Sequence, residues 1–139
     1  DDAGVVAETN EANNTASRPI AIGPDLMVSA LSAPASAAAG STITIGDTTA
    51  NPGGGVAAAS TTRFYLSRTA ALDPGAVLLG ARSVDSVAAA GKRSGSTKVT
   101  IPASAAAGSY FIVAVADAAG VVVETHENNN VSSRPLTVP

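Results

Sequence analysis

The sequence predicts an all-β sandwich of seven strands, and three observations carry that prediction. Aromatic residues make up only 3% of the 139 positions while Ala, Ser, Thr, Val and Gly dominate, so any core is built from small and β-branched side chains. Short alternating stretches are separated by Gly, Pro, Asn and Asp at the spacing of an all-β domain. Where the alternation is clearest it leaves one apolar face per strand, which requires two sheets packed face to face.

Taken in order, the strands are expected at Asp25–Leu31, Thr42–Asp47, Ser60–Ser67, Val77–Val84, Thr97–Ile101, Tyr110–Ala116 and Val131–Val138. The first follows the Gly23-Pro24 pair, where proline holds its predecessor extended. In the second, Ile43 and Ile45 alternate with Thr42 and Thr44; in the third, Phe64 and Leu66 alternate with Arg63 and Tyr65. The sixth is apolar on both sides, as expected of a central strand whose outer face is lined by small alanines or covered by a neighbour. Ala35–Ala39 and Ala103–Ala107 are too short for stable helices and end at Gly40 and Gly108, so they are expected as loops.

The chain repeats itself. DDAGVVAETNEANNTASRPIAI at residues 1–22 returns as DAAGVVVETHENNNVSSRPLTV at 117–138, with 13 of 22 positions identical by direct count and Glu8 matching Glu124 across an offset of 116 residues. Pro24 to Pro139 spans the same 116 residues. Residues 1–23 are therefore expected to be the last loop and strand of a preceding repeat, and 24–139 a complete repeat in a tandem array. A period of this length suits self-contained beads better than solenoid units of roughly 20–50 residues. The orphaned strand within residues 1–22, with Val5, Val6, Ile20 and Ile22, is expected to pair with a sheet edge of its own domain or of another copy.

Composition removes several function classes. A net charge of −3 gives no basic footprint for nucleic acid, and with no cysteine there is no disulfide framework. The longest apolar run, Tyr110 to Ala116, is far below the roughly 20 residues that span a bilayer, and no basic-then-apolar signal peptide begins the sequence, as expected of an interior piece of a longer precursor. His126 is the single histidine, so neither a zinc cluster nor a Ser-His-Asp triad is expected. Lys92-Arg93 after Gly91 imitates the end of a phosphate loop, but Ser86 stands where its glycine belongs, and a solvated turn is expected. The pairs Phe64-Tyr65 and Tyr110-Phe111 each send one ring inward, leaving two outside as a candidate sugar-stacking patch or, more simply, as packing.

Several blocks together resemble a known family: Pro24-Asp25-Leu26, Gly40, Asn51-Pro52-Gly53, Phe64-Tyr65-Leu66-Ser67, Leu78-Leu79-Gly80, Ala90-Gly91, Ile101-Pro102, Gly108-Ser109-Tyr110, Asp117 and the run Glu124-Thr125-His126-Glu127-Asn128-Asn129-Asn130. They are similar to the bacterial cell-adhesion-related domain, CARDB, over most of Pro24–Val138; His126 stands where that family commonly has Asn, which the leading partial copy keeps as Asn10. The resemblance implies an immunoglobulin or fibronectin-III-like sandwich, carried in tandem by large extracellular proteins, with no catalytic activity.

The expected function is accordingly a non-catalytic spacer or adhesive module of a secreted or cell-surface protein, with neighbouring repeats as its first partners. The alternative is a module that binds carbohydrate or a surface protein and is stabilised by calcium. For calcium, the hard oxygen donors are Asp117, Glu124, Glu127, Asn129 and Asn130. The competing expectation is that these residues sustain a tight loop, Asn and Asp bonding their own backbone and the glutamates capping nearby amides. No other cofactor is expected.

Overall fold

The computed structural model describes residues 15–20 and 22–139. Seven strands form: β1 (Met27–Ser32), β2 (Thr42–Ala50), β3 (Ser60–Ser67), β4 (Val77–Val84), β5 (Lys92–Thr100), β6 (Gly108–Val115) and β7 (Val131–Val138). They make two antiparallel sheets, one in the order β1-β2-β5 and the other β4-β3-β6-β7. The three-plus-four division is the expected sandwich. β1 and β7 lie close at one side, where Ser36 makes a parallel bridge to Thr137 beyond the end of β1. The Ala35–Ala39 and Ala103–Ala107 segments are loops, as expected.

Two strands run further than expected. β2 continues to Ala50, and β5 begins at Lys92 instead of Thr97, so that Lys92 pairs with Ala50 and Arg93 with Thr49. Lys92-Arg93 is thus the start of a ladder, not a solvated turn. Its first five residues, KRSGS, carry no apolar alternation because β5 is an edge strand with most of those side chains in water. β1 and β6 each differ from expectation by two residues at the start and one at the end.

The inward rows follow the period of two. Ile43 and Ile45 from β2, Phe64 and Leu66 from β3, Tyr110, Ile112 and Ala114 from β6, and Leu136 and Val138 from β7 belong to one core. Burying a side chain such as Leu26, Ile45, Phe64 or Ile112, all fully enclosed, contributes about 1.5–3 kcal/mol each. β6 is central, between β3 and β7. Its one alanine, Ala114, faces inward, so of the two expected arrangements the outer face is covered by neighbours and not lined by alanine. The outer row is Phe111, Val113 and Val115, and Val113 is fully buried beside Tyr65 and Ser133, its neighbours in register.

Toward the end of the sandwich where the chain enters β1, the interior turns polar. The inward row of β2 runs Ile43, Ile45, Asp47, Thr49, and Asn51 follows the strand's end. Each polar member meets a partner. Asp47 accepts from Arg82 of the opposite sheet, Nε to Oδ1 at 2.8 Å and Nη2 to Oδ2 at 2.6 Å. Thr49 and Thr62 join hydroxyls across the sheets at 3.0 Å. Arg82 reaches Asp47 by passing over Gly95, where a Cβ would lie 2.7 Å from Arg82 Cδ.

Residues 15–20 and 22 form no strand; residues 1–14 and 21, on which most of the expected edge-pairing segment falls, lie outside the described residues. Ile20 and Ile22 are 75% and 77% exposed, whereas Leu136 and Val138, their equivalents in the repeat, are 1% and 2% exposed. The difference is the presence of β6, which supplies the latter pair with both a ladder and a core.

Candidate functional site

The feature that concentrates buried polar chemistry is the pole where the chain enters the sandwich. Three segments converge there: the entering residues Gly23–Leu26, the β2–β3 loop beginning at Asn51, and the β6–β7 loop containing Asp117 to Asn130.

Asn51 is the hub of the β2–β3 side. Fully buried, it accepts through Oδ1 from the backbone N–H of Asp25 at 3.0 Å and of Gly53 at 3.1 Å. Its Nδ2 donates to the carbonyls of Gly55, Val87 and Ala88 at 2.7, 3.0 and 3.2 Å. One amide therefore ties the entering chain to two loops: it pairs Asp25 N, Gly53 N and Gly55 O, and adds a second donor to Val87 O and Ala88 O, which also accept from Ala57 N and Gly91 N. Gly53 lets the loop lie flat on the entering chain, because a Cβ there would stand 2.7 Å from Asp25 N and 2.8 Å from the Pro24 carbonyl carbon.

The β6–β7 loop grips the same residues from the other side. Glu124 Oε2 accepts from Leu26 N at 3.2 Å, and the Thr125 amide donates to Pro24 O at 3.0 Å. Asp25 accepts from Asn129 Nδ2 at 2.8 Å and lies 3.2 Å from His126 Nδ1. Within the loop, Asp117, at a positive φ of 41°, accepts from Val121 N and Val122 N at 3.1 and 2.8 Å. Glu127 accepts from Glu124 N at 3.0 Å, and Asn130 Nδ2 donates to Glu124 Oε1 at 3.3 Å. Partial burial pushes the Glu124 carboxyl above its ordinary range, against the bonds from Leu26 and Asn130 that favour its charged form, while Glu127 and Asp117 push the same way as burial.

The five calcium candidates are thus divided. Glu124, Glu127 and Asn130 are linked to one another, Asn129 is turned toward Asp25, and both Asp117 oxygens hold the loop's own backbone. Glutamates do cap nearby amides, as the loop reading expects, but one of the capped amides, Leu26 N, is 98 positions away in sequence. Among the described residues, no group of three His, Cys, Asp or Glu side chains is placed to hold a metal ion. The Oδ1 atoms of Asn129 and Asn130 are nevertheless buried without a hydrogen-bond partner.

Asp25 and the Asp47–Arg82 pair escaped the sequence reading. Asp47 carried a readable signal: it continues the inward phase of Ile43 and Ile45, and a carboxylate in that phase demands a partner. Nothing in the sequence named Arg82 as that partner. Phe64 and Tyr110 do point inward, Tyr110 donating its hydroxyl to Ala106 O at 2.9 Å, and Tyr65 and Phe111 stand half-buried on the outer face. Among the described residues, no helix is long and apolar enough to cross a membrane.

These observations define an immunoglobulin-like β-sandwich domain whose loops clamp the chain that leads into it. The CARDB family profile matches residues 23–134, and the chain belongs to that family. Among solved structures, the chain is similar to the CARDB domain of a Pyrococcus furiosus protein in complex with di-metal ions, at 24% identity and a TM-score of 0.65, covering 88% of this chain and 95% of that one. A domain of a Methanosarcina acetivorans protein named as a cell-surface protein aligns at 18% identity and a TM-score of 0.59, covering 85% and 94%. The fold also matches part of a β-glucosidase from Erythrobacter marinus, at 14% identity and a TM-score of 0.58, covering 84% of this chain but 16% of the enzyme. No curated protein matches the chain by sequence.

Proposed function

We propose that this CARDB domain is a non-catalytic spacer and stalk module, repeated in tandem within a large secreted or cell-surface protein, that fixes the direction in which each bead leaves the one before it. The observation that carries this reading is the convergence of Asn51, Gly53, Glu124, Thr125 and Asn129 on Gly23–Leu26. A chain held from two sides at its point of arrival cannot swivel there, which is what a stalk requires and a loosely tethered binding module does not. The recurrence of the Glu124–Asn130 pattern at residues 8–14 supports the array, and the Methanosarcina acetivorans relative supports the surface location. Glycan-array screening followed by calorimetry tests it: no binding at millimolar ligand supports the spacer, and a micromolar carbohydrate ligand overturns it.

A second reading, calcium at the β6–β7 loop, is favoured by the orphaned Oδ1 atoms of Asn129 and Asn130, which are hard donors next to the Asp25 and Glu124 carboxylates. The Pyrococcus furiosus relative, in complex with di-metal ions, supports metal binding by this fold. Bound calcium would supply the positive charge that this partly buried carboxylate group lacks. The test is the melting temperature in millimolar calcium and then in chelator, since a ligand of the native state alone raises stability. An unchanged melting temperature rejects the site.

A further inference from the structure

We propose that consecutive repeats dock pole to pole, the valines of the β6–β7 and β2–β3 loops of one repeat seating in an apolar cavity at the far pole of the repeat before it. The inference rests on the tandem reading and adds to it a specific surface and partner, a second copy of this domain.

The two surfaces lie where the chain arrives and where it departs. At the arrival pole Val121 and Val123 are 60% and 87% exposed and Val56 is 67% exposed. Val123 is two residues from Thr125, which bonds Pro24, and Val56 follows Gly55, whose amide bonds Gly23 O. These valines therefore flank the entering chain on both sides. Large aliphatic side chains left in water around a fixed point of attachment are unfavourable unless something covers them.

The departure pole offers the complement. β7 ends at Val138, paired with Gly108, and the guanidinium of Arg68 lies beside Gly108 and 3.9 Å over the ring of Tyr110. Arg68 and Tyr110 line a cavity of about 270 Å³ whose remaining walls include Leu66, Val77, Pro102 and Ala105. It is mainly apolar, its volume exceeds that of a valine side chain, and Tyr110 in its wall lies two residues along β6 from Gly108, the partner of Val138.

Linker length brings the two together. By the internal repeat, Ile22 is the counterpart of Val138 at the end of β7, while Asp25 is already buried in the following sandwich. Only Gly23 and Pro24 separate them. Three peptide steps span at most about 11 Å, so the departure pole of one repeat and the arrival pole of the next must lie against each other. The contact is head to tail, which suits a linear array.

The experiment joins residues 24–138 directly to residues 23–139 and measures residual dipolar couplings of the two-repeat chain, each sandwich having its own core. A shared alignment tensor is expected for the unsubstituted chain. It should split into two independent tensors when Val121→Asp and Val123→Asp are introduced into the second repeat, with the melting temperature of the single repeat moved by less than about 2 °C. Independent tumbling of the unsubstituted chain, or a common tensor that survives both substitutions, overturns the docking. The tandem reading is judged separately, by whether the residues encoded immediately before Asp1 complete a sandwich repeat, so either idea can fail alone.

Discussion

The Asn51 carboxamide oxygen accepts the backbone N–H of Asp25 at 3.0 Å, joining the end of β2 to the chain entering β1. The bond is buried, as are those from Asn51 Nδ2 to Val87 O and from Gly53 N to Asn51 Oδ1. Replacing Asn51 by Ala strands several backbone groups at once, each costing about 1–3 kcal/mol when left unpaired. Asn51→Ala is expected to lose about 3 kcal/mol or more in urea unfolding, with an unchanged m-value. A loss below about 1 kcal/mol would show that water replaces the amide.

Gly53 tests the same clamp by addition. In Gly53→Ala the new methyl meets the backbone of Gly23 to Asp25 rather than a movable side chain. The expected cost is about 1–3 kcal/mol, with faster hydrogen exchange at the Asp25 and Leu26 amides. Unchanged exchange there would mean the loop, not the entering chain, gives way.

Arg82 and Asp47 form a bidentate pair inside the sandwich. Removing only the cation leaves a buried carboxylate, so Arg82→Ala is expected to cost about 3–5 kcal/mol. The double substitution Asp47→Leu with Arg82→Met removes both charges and should recover most of that loss. If the double variant is as unstable as the single one, the pair's charge is not the cause.

Two carboxyls shape the pH dependence in opposite senses. Glu124 titrates above its ordinary 4.5 in the folded state, chiefly through burial, so the folded protein holds its proton more tightly and stability falls as pH rises from about 4.5 through the raised value. Asp73 titrates below its ordinary 3.8, chiefly because Ser67 donates to it, so its contribution is present above 3.8 and is lost as pH falls through the lowered value. Glu124→Gln should flatten the decline that begins above about pH 4.5 and Asp73→Asn the decline below about pH 3.8, both read from denaturation midpoints across pH. A Glu124→Gln profile parallel to that of the unsubstituted chain would rule out this carboxyl as the source.

Much of the sandwich was legible because alternation is a local property. Ile43 and Ile45, Phe64 and Leu66, and the ends of β3, β4 and β7 stand where the pattern places them. The start of β5 was not legible, since Lys92 to Ser96 owe their extended form to pairing with β2 and not to any apolar face of their own. The acidic-amide block is visible in the sequence as a block, but its reach to Leu26, 98 positions away, is not a local property.

The sequence by itself determined the seven-strand sandwich, the family and the internal repeat at an offset of 116 residues. Only the tertiary structure decided that Asn51 and the Glu124–Asn130 run serve one purpose, and that Asp47 answers Arg82. Strand phase is set by each residue's immediate neighbours, whereas the partner of a buried polar group is set by how the sheets cross. Asn129 and Asp25 stand 104 positions apart and meet only because β7 and β1 begin at the same pole of the fold.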